Sequence, residues 1–279
     1  MMDSNDSQTG RLAVCSWSLR PLSPHDLAEK VRACGLRAVQ LALDPVRRAD
    51  WDEWETIEVL NEAGIEIVSG MMEPAGEDYS TLASIRETGG VRPDATWEVN
   101  RAAANENAAL ARRMGIELVT MHAGCVPADA ADPVRRVMLE RLREICGAFA
   151  VQEVRVAFET GQDSPGTLIG VIEELGVPGV GLNFDPANMI LYNSADPIEA
   201  LRALSPWVVQ AHIKDAVPAE KAGRWGTEVP AGDGAVDWPR FFGALRERLP
   251  EIDLVIEREA GEQRVEDVTQ GAQLVRRLR

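Results

Sequence analysis

The sequence predicts an α/β protein built as a single (β/α)8 barrel, on three observations. Short runs rich in Val, Ile and Leu recur along the whole chain, each followed by a stretch of helical periodicity, the mark of repeated βα units. Eight such runs are present, and eight is the number that closes a parallel barrel. The length, 279 residues, suits one barrel domain of about 250 residues, although length alone does not choose between one large domain and two small ones.

The predicted strands are Leu12 to Ser16, Ala38 to Ala42, Ile65 to Gly70, Leu118 to His122, Val154 to Glu159, Val180 to Asp185, Val208 to Lys214 and Leu254 to Glu257. Helix starts are marked locally. Ser23 followed by Pro24 is an N-cap with proline at the first helical position, Asp26 stands three residues after the cap, and Asp196-Pro197 repeats the device. Gly35, Gly64, Gly115 and Gly176 each end an amphipathic segment just before the next strand. The segment between the third and fourth strands is longer than a minimal crossover. It holds Tyr79 to Glu87, the turn Gly89-Gly90 and a helix from about Asp94 to Met114, and such an insertion is placed to lie over the barrel mouth. No Pro/Ser-rich linker divides the chain, so the expectation is a flexible N-terminal tail over residues 1–10 and one barrel domain over residues 11–279.

Composition narrows the function classes. The net charge is −16, and Lys and Arg are scattered rather than gathered into a stripe, so neither nucleic acid nor an anionic membrane is expected as a partner. The N-terminal MMDSNDSQTG is polar, and no later run approaches the roughly 20 apolar residues of a membrane span, so a cytoplasmic location is expected. Cys15, Cys34, Cys125 and Cys146 stand far apart with no C-x-x-C pair and read as reduced, mostly buried thiols.

Active sites of (β/α)8 barrels lie at the C-terminal ends of the strands. There the fifth predicted strand ends in Phe158-Glu159-Thr160, the sixth in Asn183-Phe184-Asp185, the seventh in Ala211-His212-Ile213-Lys214 and the eighth in Ile256-Glu257-Arg258. Four successive strands thus deliver Glu159, Asp185, His212 and Glu257 to one rim. Any one of them alone reads more simply as a surface carboxylate or a satisfied core histidine. Together, three converging carboxylates repel one another unless a cation sits between them, and an imidazole adds a nitrogen ligand. Oxygen-rich ligation with one histidine suits Mn2+ first, with Mg2+, Co2+ or Zn2+ as alternatives; structural zinc more often recruits thiolates, and none falls in this set.

The segments FET, NFDPANM, AHIKDA, GDGAVDWPRFF and LVIERE, in this order, resemble the xylose isomerase-like sugar isomerase/epimerase superfamily, from Leu12 onward. In the ketose 3-epimerase and hydroxypyruvate isomerase branches one ion is held by Glu, Asp, His and Glu at the positions matched by Glu159, Asp185, His212 and Glu257. The resemblance implies proton abstraction next to a sugar carbonyl through an enediolate, with Glu159 and Glu257 removing and returning the proton. It also implies a small carbohydrate substrate, and it leaves a homo-oligomer open. One departure is clear: where the ketose 3-epimerases carry His three residues after the strand-six Asp, this chain has Asn188, which cannot become a cation.

Further substrate contacts are weighed on position alone. His122 ends the fourth strand, where a structural histidine is an equal alternative. Lys214 shares a strand face with His212 and is placed either to orient substrate or to pair with a mouth carboxylate. Trp17 just after the first strand and Trp225 in the long loop after the seventh are candidates for a sugar wall and a lid, or for core. Gly232-Asp233-Gly234 lacks the spacing of a phosphate cradle and leads into Asp237-Trp238-Pro239, a helix start. The loop Arg258 to Glu262 is largely acidic where phosphate-binding barrels hold phosphate, which favours an unphosphorylated substrate. A dehydratase of keto-inositols or a hydratase of 3-keto-glycosides on the same scaffold remains the main alternative. An endonuclease IV-like phosphodiesterase would need more than the three histidines present, and a non-catalytic sugar-binding barrel stays open because fold does not fix function.

Overall fold

The computed structural model describes residues 10–221 and 223–279; the expected flexible tail lies outside the described residues except for Gly10. Eight strands close into the predicted barrel: β1 (Leu12–Cys15), β2 (Ala38–Ala42), β3 (Glu66–Met72), β4 (Leu118–Met121), β5 (Arg155–Glu159), β6 (Gly181–Phe184), β7 (Val208–Ile213) and β10 (Asp253–Ile256). Every neighbouring pair is parallel, and β10 pairs with β1 through Leu12↔Leu254, Ala13↔Val255 and Val14↔Ile256 to close the ring. All eight strands lie within two residues of their predicted limits. Several predicted ends, His122, Asp185, Lys214 and Glu257, fall one residue past the ladder. The backbone turns there to feed the mouth loops, and Asp185 becomes the N-cap of the next helix, its Oδ1 accepting from Ala187 N at 2.8 Å and Asn188 N at 3.0 Å.

The helices follow in order: α1 (Pro24–Ala33), α2 (Asp44–Arg47), α3 (Glu53–Glu62), α4 (Leu82–Thr88), α5 (Asp94–Arg113), α6 (Pro133–Val151), α7 (Pro165–Leu175), α8 (Pro186–Leu191), α9 (Pro197–Leu204), α10 (Trp238–Arg248) and α11 (Arg264–Leu278). The local start signals are used as predicted. Ser23 Oγ accepts from Asp26 N at 3.2 Å, and Asp196 Oδ1 accepts from Ile198 N and Glu199 N at 3.0 Å each. Gly176 ends α7 at φ 61°, a conformation that a side chain disfavours.

The segment after β7 is not the simple loop the sequence suggested. It contains an antiparallel pair, β8 (Asp215–Val217) and β9 (Thr227–Val229), outside the barrel sheet. Its cause is Asp215, fully buried, whose carboxylate collects the Gly-Asp-Gly turn. Oδ2 accepts from Gly232 N (3.0 Å), Gly234 N (3.1 Å) and Trp238 Nε1 (2.8 Å), while Oδ1 accepts from Ala216 N (2.9 Å) and Val236 N (3.1 Å). A Cβ on Gly234 would stand 2.1 Å from Asp215 Oδ1, so only glycine passes. The glycine turn therefore does cradle an anion, but the anion is the protein's own carboxylate.

Apolar packing is concentrated between strands and helices, where Phe149, Phe158, Phe184, Phe241 and Phe242 are fully buried. The barrel interior is filled differently, by small residues such as Ala13, Cys15, Ala38, Val68 and Val255 together with buried polar side chains. Among the described residues, Cys15, Cys34 and Cys146 are buried free thiols and Cys125 is half-buried. No helix of the described residues is long and apolar enough to cross a membrane.

Candidate metal centre

The four strand-end residues meet. Glu159, the last residue of β5, and His212, on β7, are placed by the ladder itself; Asp185 and Glu257 stand one step past β6 and β10. Each offers a ligand atom within 4.8 Å of the others, and all four are buried. His212 Nδ1 lies 3.2 Å from a Glu257 oxygen, 3.5 Å from Glu159 Oε1 and 3.7 Å from Asp185 Oδ2.

Among the buried side-chain atoms, Glu159 Oε2, Asp185 Oδ2 and His212 Nδ1 have no hydrogen-bond partner. Leaving one such atom unpaired in a dry interior costs about 1–3 kcal/mol, and more for a charged group, so three orphans in one cluster call for an absent partner. Two carboxylate oxygens are acceptors, and the imidazole nitrogen becomes one when its proton leaves, which fits a cation and not an anion or a neutral donor. The donor set thus fits a divalent ion.

Electrostatics agree. Burial and the Glu257 charge push Glu159 up, but His212 and His122 reverse this and leave it lowered to about 2. Burial likewise opposes ionisation of Glu257, yet Lys214 and then His212 hold it well below the usual carboxylate range. Asp185 goes the other way: burial raises it, and Lys214 and His212 only partly offset that. Burial works against a charged His212 ring, but Glu257 beside it holds the imidazole protonated well above its ordinary value. A divalent ion held by these residues would take the place of the proton on the ring.

The other predicted residues are mostly engaged with this cluster. Trp17 Nε1 donates to Glu257 Oε1 at 2.9 Å, so the side chain fixes a carboxylate, and it is absent from the two mouth clefts. Lys214 Nζ donates to Glu257 Oε2 at 2.8 Å and to Glu259 Oε2 at 2.5 Å. Asn188 Nδ2 donates to Glu159 Oε1 at 3.1 Å and to Thr160 O at 3.0 Å. His122 Nε2 faces Glu159 Oε2 at 3.4 Å. Trp225, in the β8–β9 loop, packs on Tyr192 with ring centroids 4.8 Å apart and on Tyr79 at 6.5 Å.

Sequence reasoning missed several residues that these contacts expose. Glu77 and Tyr79 come from the insertion after β3. Tyr79 Oη lies 2.8 Å from both Glu77 Oε2 and His122 Nδ1, and His122 Nδ1 is 3.0 Å from Glu77 Oε2, so the insertion orients the histidine that faces Glu159. Burial opposes the charge on His122, but Glu77 and Glu159 raise it well above the ordinary imidazole range. Glu228, on β9, accepts from Arg258 Nη1 at 2.7 Å and from Glu259 N at 2.9 Å, tying the hairpin to the loop after β10. The signal that would have found Glu77 is its place in an insertion already suspected of covering the mouth; nothing in the sequence pointed to Glu228.

Two adjoining clefts open above the cluster. One, of about 360 Å³, is lined by Tyr79, His122, Glu159, Lys214, Trp225 and Glu259 among others; a second, of about 50 Å³, runs from Glu159 and His122 toward Cys125, Gln162 and Asp163. Glu159 lines both, and Glu257 lines neither. The cationic side chains in these described linings are His122 and Lys214, and both already face carboxylates.

The chain belongs to the xylose isomerase-like TIM barrel family, whose family model matches residues 28–278. Uncharacterized protein YihM of Escherichia coli K12 is 33% identical over 98 residues, a stretch covering 30% of this chain and only 29% of that protein. Among solved structures, a xylose isomerase domain protein from Planctomyces limnophilus superposes with a TM-score of 0.86 at 27% identity, over 97% of this chain and 96% of that one. The probable 3-DHS dehydratase AsbF of Bacillus anthracis gives 0.73 at 17% identity over 95% and 98%. An L-ribulose 3-epimerase gives 0.71 at 16% identity over 95% and 93%. At those two identities the likeness is one of fold.

Proposed function

We propose that this protein is a divalent-metal-dependent isomerase or epimerase of an unphosphorylated keto sugar or sugar derivative. The single observation that carries the reading is the cluster of unpartnered buried atoms, Glu159 Oε2, Asp185 Oδ2 and His212 Nδ1, of which Glu159 also lines the cleft. Glu159, Asp185, His212 and Glu257 would hold the ion, with Mn2+ first among Mg2+, Co2+ and Zn2+ for an oxygen-rich set with one nitrogen. When bound, such an ion supplies polarisation of the substrate carbonyl and offsets the charge of the enediolate.

The remaining chemistry belongs to the chain. Glu159 is the base that takes the proton next to the carbonyl: it lines both clefts, and with Oε1 on the His212 side, 3.5 Å from Nδ1, to meet the ion, Oε2 on the His122 side is free for the substrate. Asn188 holds its other oxygen, and His122, oriented by Glu77 and Tyr79, borders the same space and can donate a hydrogen bond to a substrate oxygen. Glu257, held by Trp17 and Lys214, returns the proton from the opposite side. Trp225, Tyr192 and Tyr79 supply an aromatic wall for the apolar face of a sugar ring. The absence of an unpaired cation among the described cleft residues favours a substrate without phosphate.

One observation favours a second reading. Both Glu257 oxygens are engaged and the residue borders neither cleft, so a single-base lyase, with Glu159 removing the proton and Lys214 or His122 assisting departure of a β leaving group, fits the same arrangement. Incubating the Mn2+-supplied protein in D2O with ketoses, inososes and 3-keto-glycosides, followed by NMR, tests both. Deuterium entering beside the carbonyl of a recovered isomer supports the first reading. An unsaturated, ultraviolet-absorbing product supports the second, and neither outcome with any sugar, although Mn2+ is bound, sinks both.

A further inference from the structure

Beneath the four mouth residues the barrel interior is a polar ladder. Gln40 Nε2 donates to Thr120 Oγ1 at 2.9 Å, and Gln40 Oε1 lies 3.0 Å from His212 Nε2. Asn183 Nδ2 lies 2.9 Å from the same ring nitrogen, Gln210 Nε2 donates to Asn183 Oδ1 at 3.2 Å, and Ser69 Oγ donates to Gln210 Oε1 at 2.7 Å. Cys15 Sγ also points to Gln40 Oε1, at 3.3 Å. Every one of these side chains is fully buried.

His212 thus presents Nδ1 to three carboxylates and Nε2 to two amides. A neutral imidazole carries one N–H, and Nδ1 can ligate only when that proton sits on Nε2. In a dry interior the Nε2–H needs an acceptor, and two amides compete to define it. If Asn183 donates to a bare Nε2, the proton moves to Nδ1, among the carboxylates, where it blocks a cation. If Gln40 Oε1 accepts from Nε2–H, Nδ1 is bare, and Asn183 and Gln210 turn their amides together, so that Asn183 presents its oxygen to the ring, Asn183 Nδ2 donates to Gln210 and Gln210 Nε2 donates to Ser69 Oγ. Gln40 is held in the accepting orientation from its far end, because its amide nitrogen is committed to Thr120 and its oxygen also receives the Cys15 thiol.

We propose that Gln40, through its Oε1, is a positioning residue for metal capture: it holds His212 in the tautomer that leaves Nδ1 free to ligate. The inference rests on the metal reading of the centre and assigns a role to a strand-two side chain that reaches neither substrate nor ion.

The test is Mn2+ affinity by calorimetry for wild type, Gln40→Met, which keeps length and loses the acceptor, and Gln40→Glu, which keeps an acceptor at the same reach. The expected result is a Kd about 10–100-fold weaker in Gln40→Met, as for lost hydrogen-bond support of a metal-bound histidine, and rescue to within about threefold in Gln40→Glu. An unchanged Gln40→Met, or equal losses in both variants, which would mean packing alone, overturns it. Should Gln40→Met fail to fold, Thr120→Val replaces it: by removing the group that orients the Gln40 amide it is expected to weaken Mn2+ at least about threefold, a partial loss of the same support, and no change overturns the proposal. In the Zn2+-loaded protein, ¹⁵N NMR of the His212 ring is expected to show a hydrogen-bonded Nε2–H that shifts in Gln40→Met and is retained in Gln40→Glu. Wild type that binds no divalent ion would overturn the metal reading and this inference with it, whereas normal wild-type binding with an unchanged Gln40→Met would overturn this inference alone.

Discussion

The carboxylates of the mouth differ in what holds them, and the proposed roles follow that difference. Glu159 keeps one oxygen for the cleft, while Glu257 spends both on Trp17 and Lys214. Glu159→Gln is therefore expected to lower solvent-proton exchange into substrate by about 10²–10⁴-fold, the range for a lost general base, and NMR in D2O checks it. Retention of exchange would move the base elsewhere. Asp163, four residues on, has a different character. Burial raises its carboxyl to about 6, only partly offset by hydrogen bonds from Val126 N (3.3 Å) and the Cys125 thiol (3.5 Å). A folded value above the unfolded one means that its favourable contribution is complete below about pH 4 and is lost as pH rises through about 6. Asp163→Asn is accordingly expected to equal wild type in stability below about pH 4 and to exceed it by about 1–3 kcal/mol above pH 7, at about 1.4 kcal/mol per unit. Urea titrations at both pH values decide it, and equal differences at the two would refute it.

At the scale of elements, the loops after β3 and β7 turn a generic barrel into this mouth. The insertion after β3 contributes Glu77 and Tyr79 to orient His122, and the β8–β9 hairpin brings Trp225 over the cleft and Glu228 onto Arg258. The hairpin and the start of α10 share one anchor, the five donors converging on Asp215. Asp215→Ala strands those buried N–H groups together, so a loss of about 3–5 kcal/mol is expected, comparable to breaking a buried charged network. Denaturant unfolding measures it, and a loss under 1 kcal/mol would show the turn to be held by other contacts. The β8–β9 pair was invisible in sequence because its strands are three residues each and its organiser is a single side chain acting across some twenty residues.

For the molecule as a whole, an ion bound only by the folded barrel links metal to stability. At a free concentration 100 times its Kd such an ion adds about 2.7 kcal/mol, which for a chain of this size raises Tm by roughly 4–5 °C. Thermal unfolding with and without Mn2+, and again after EDTA, is expected to show that rise and its reversal. No shift with Mn2+, Mg2+, Co2+ or Zn2+ would remove the metal from the function.

Much of the barrel and half of its site were legible in the chain because the signals are local. Eight apolar runs, the Ser23 and Asp196 caps and the terminal glycines act over three or four residues, and the barrel-mouth rule converts strand ends into neighbours, which is how Glu159, Asp185, His212 and Glu257 could be named from order alone. Lys214 on Glu257 was one of two expectations for that lysine, but the other groups that hold the cluster could not be named. Trp17 on Glu257, Asn188 on Glu159, Gln40 on His212 and Glu77 on His122 are contacts between residues 29 to 240 positions apart. Those partners are chosen only when the ring closes and a buried polar atom must find whatever acceptor or donor the neighbouring strand presents. The sequence by itself determined the fold and the four residues at its rim; the closed barrel decided which of their atoms are satisfied, and so which are left for the proposed ion and substrate.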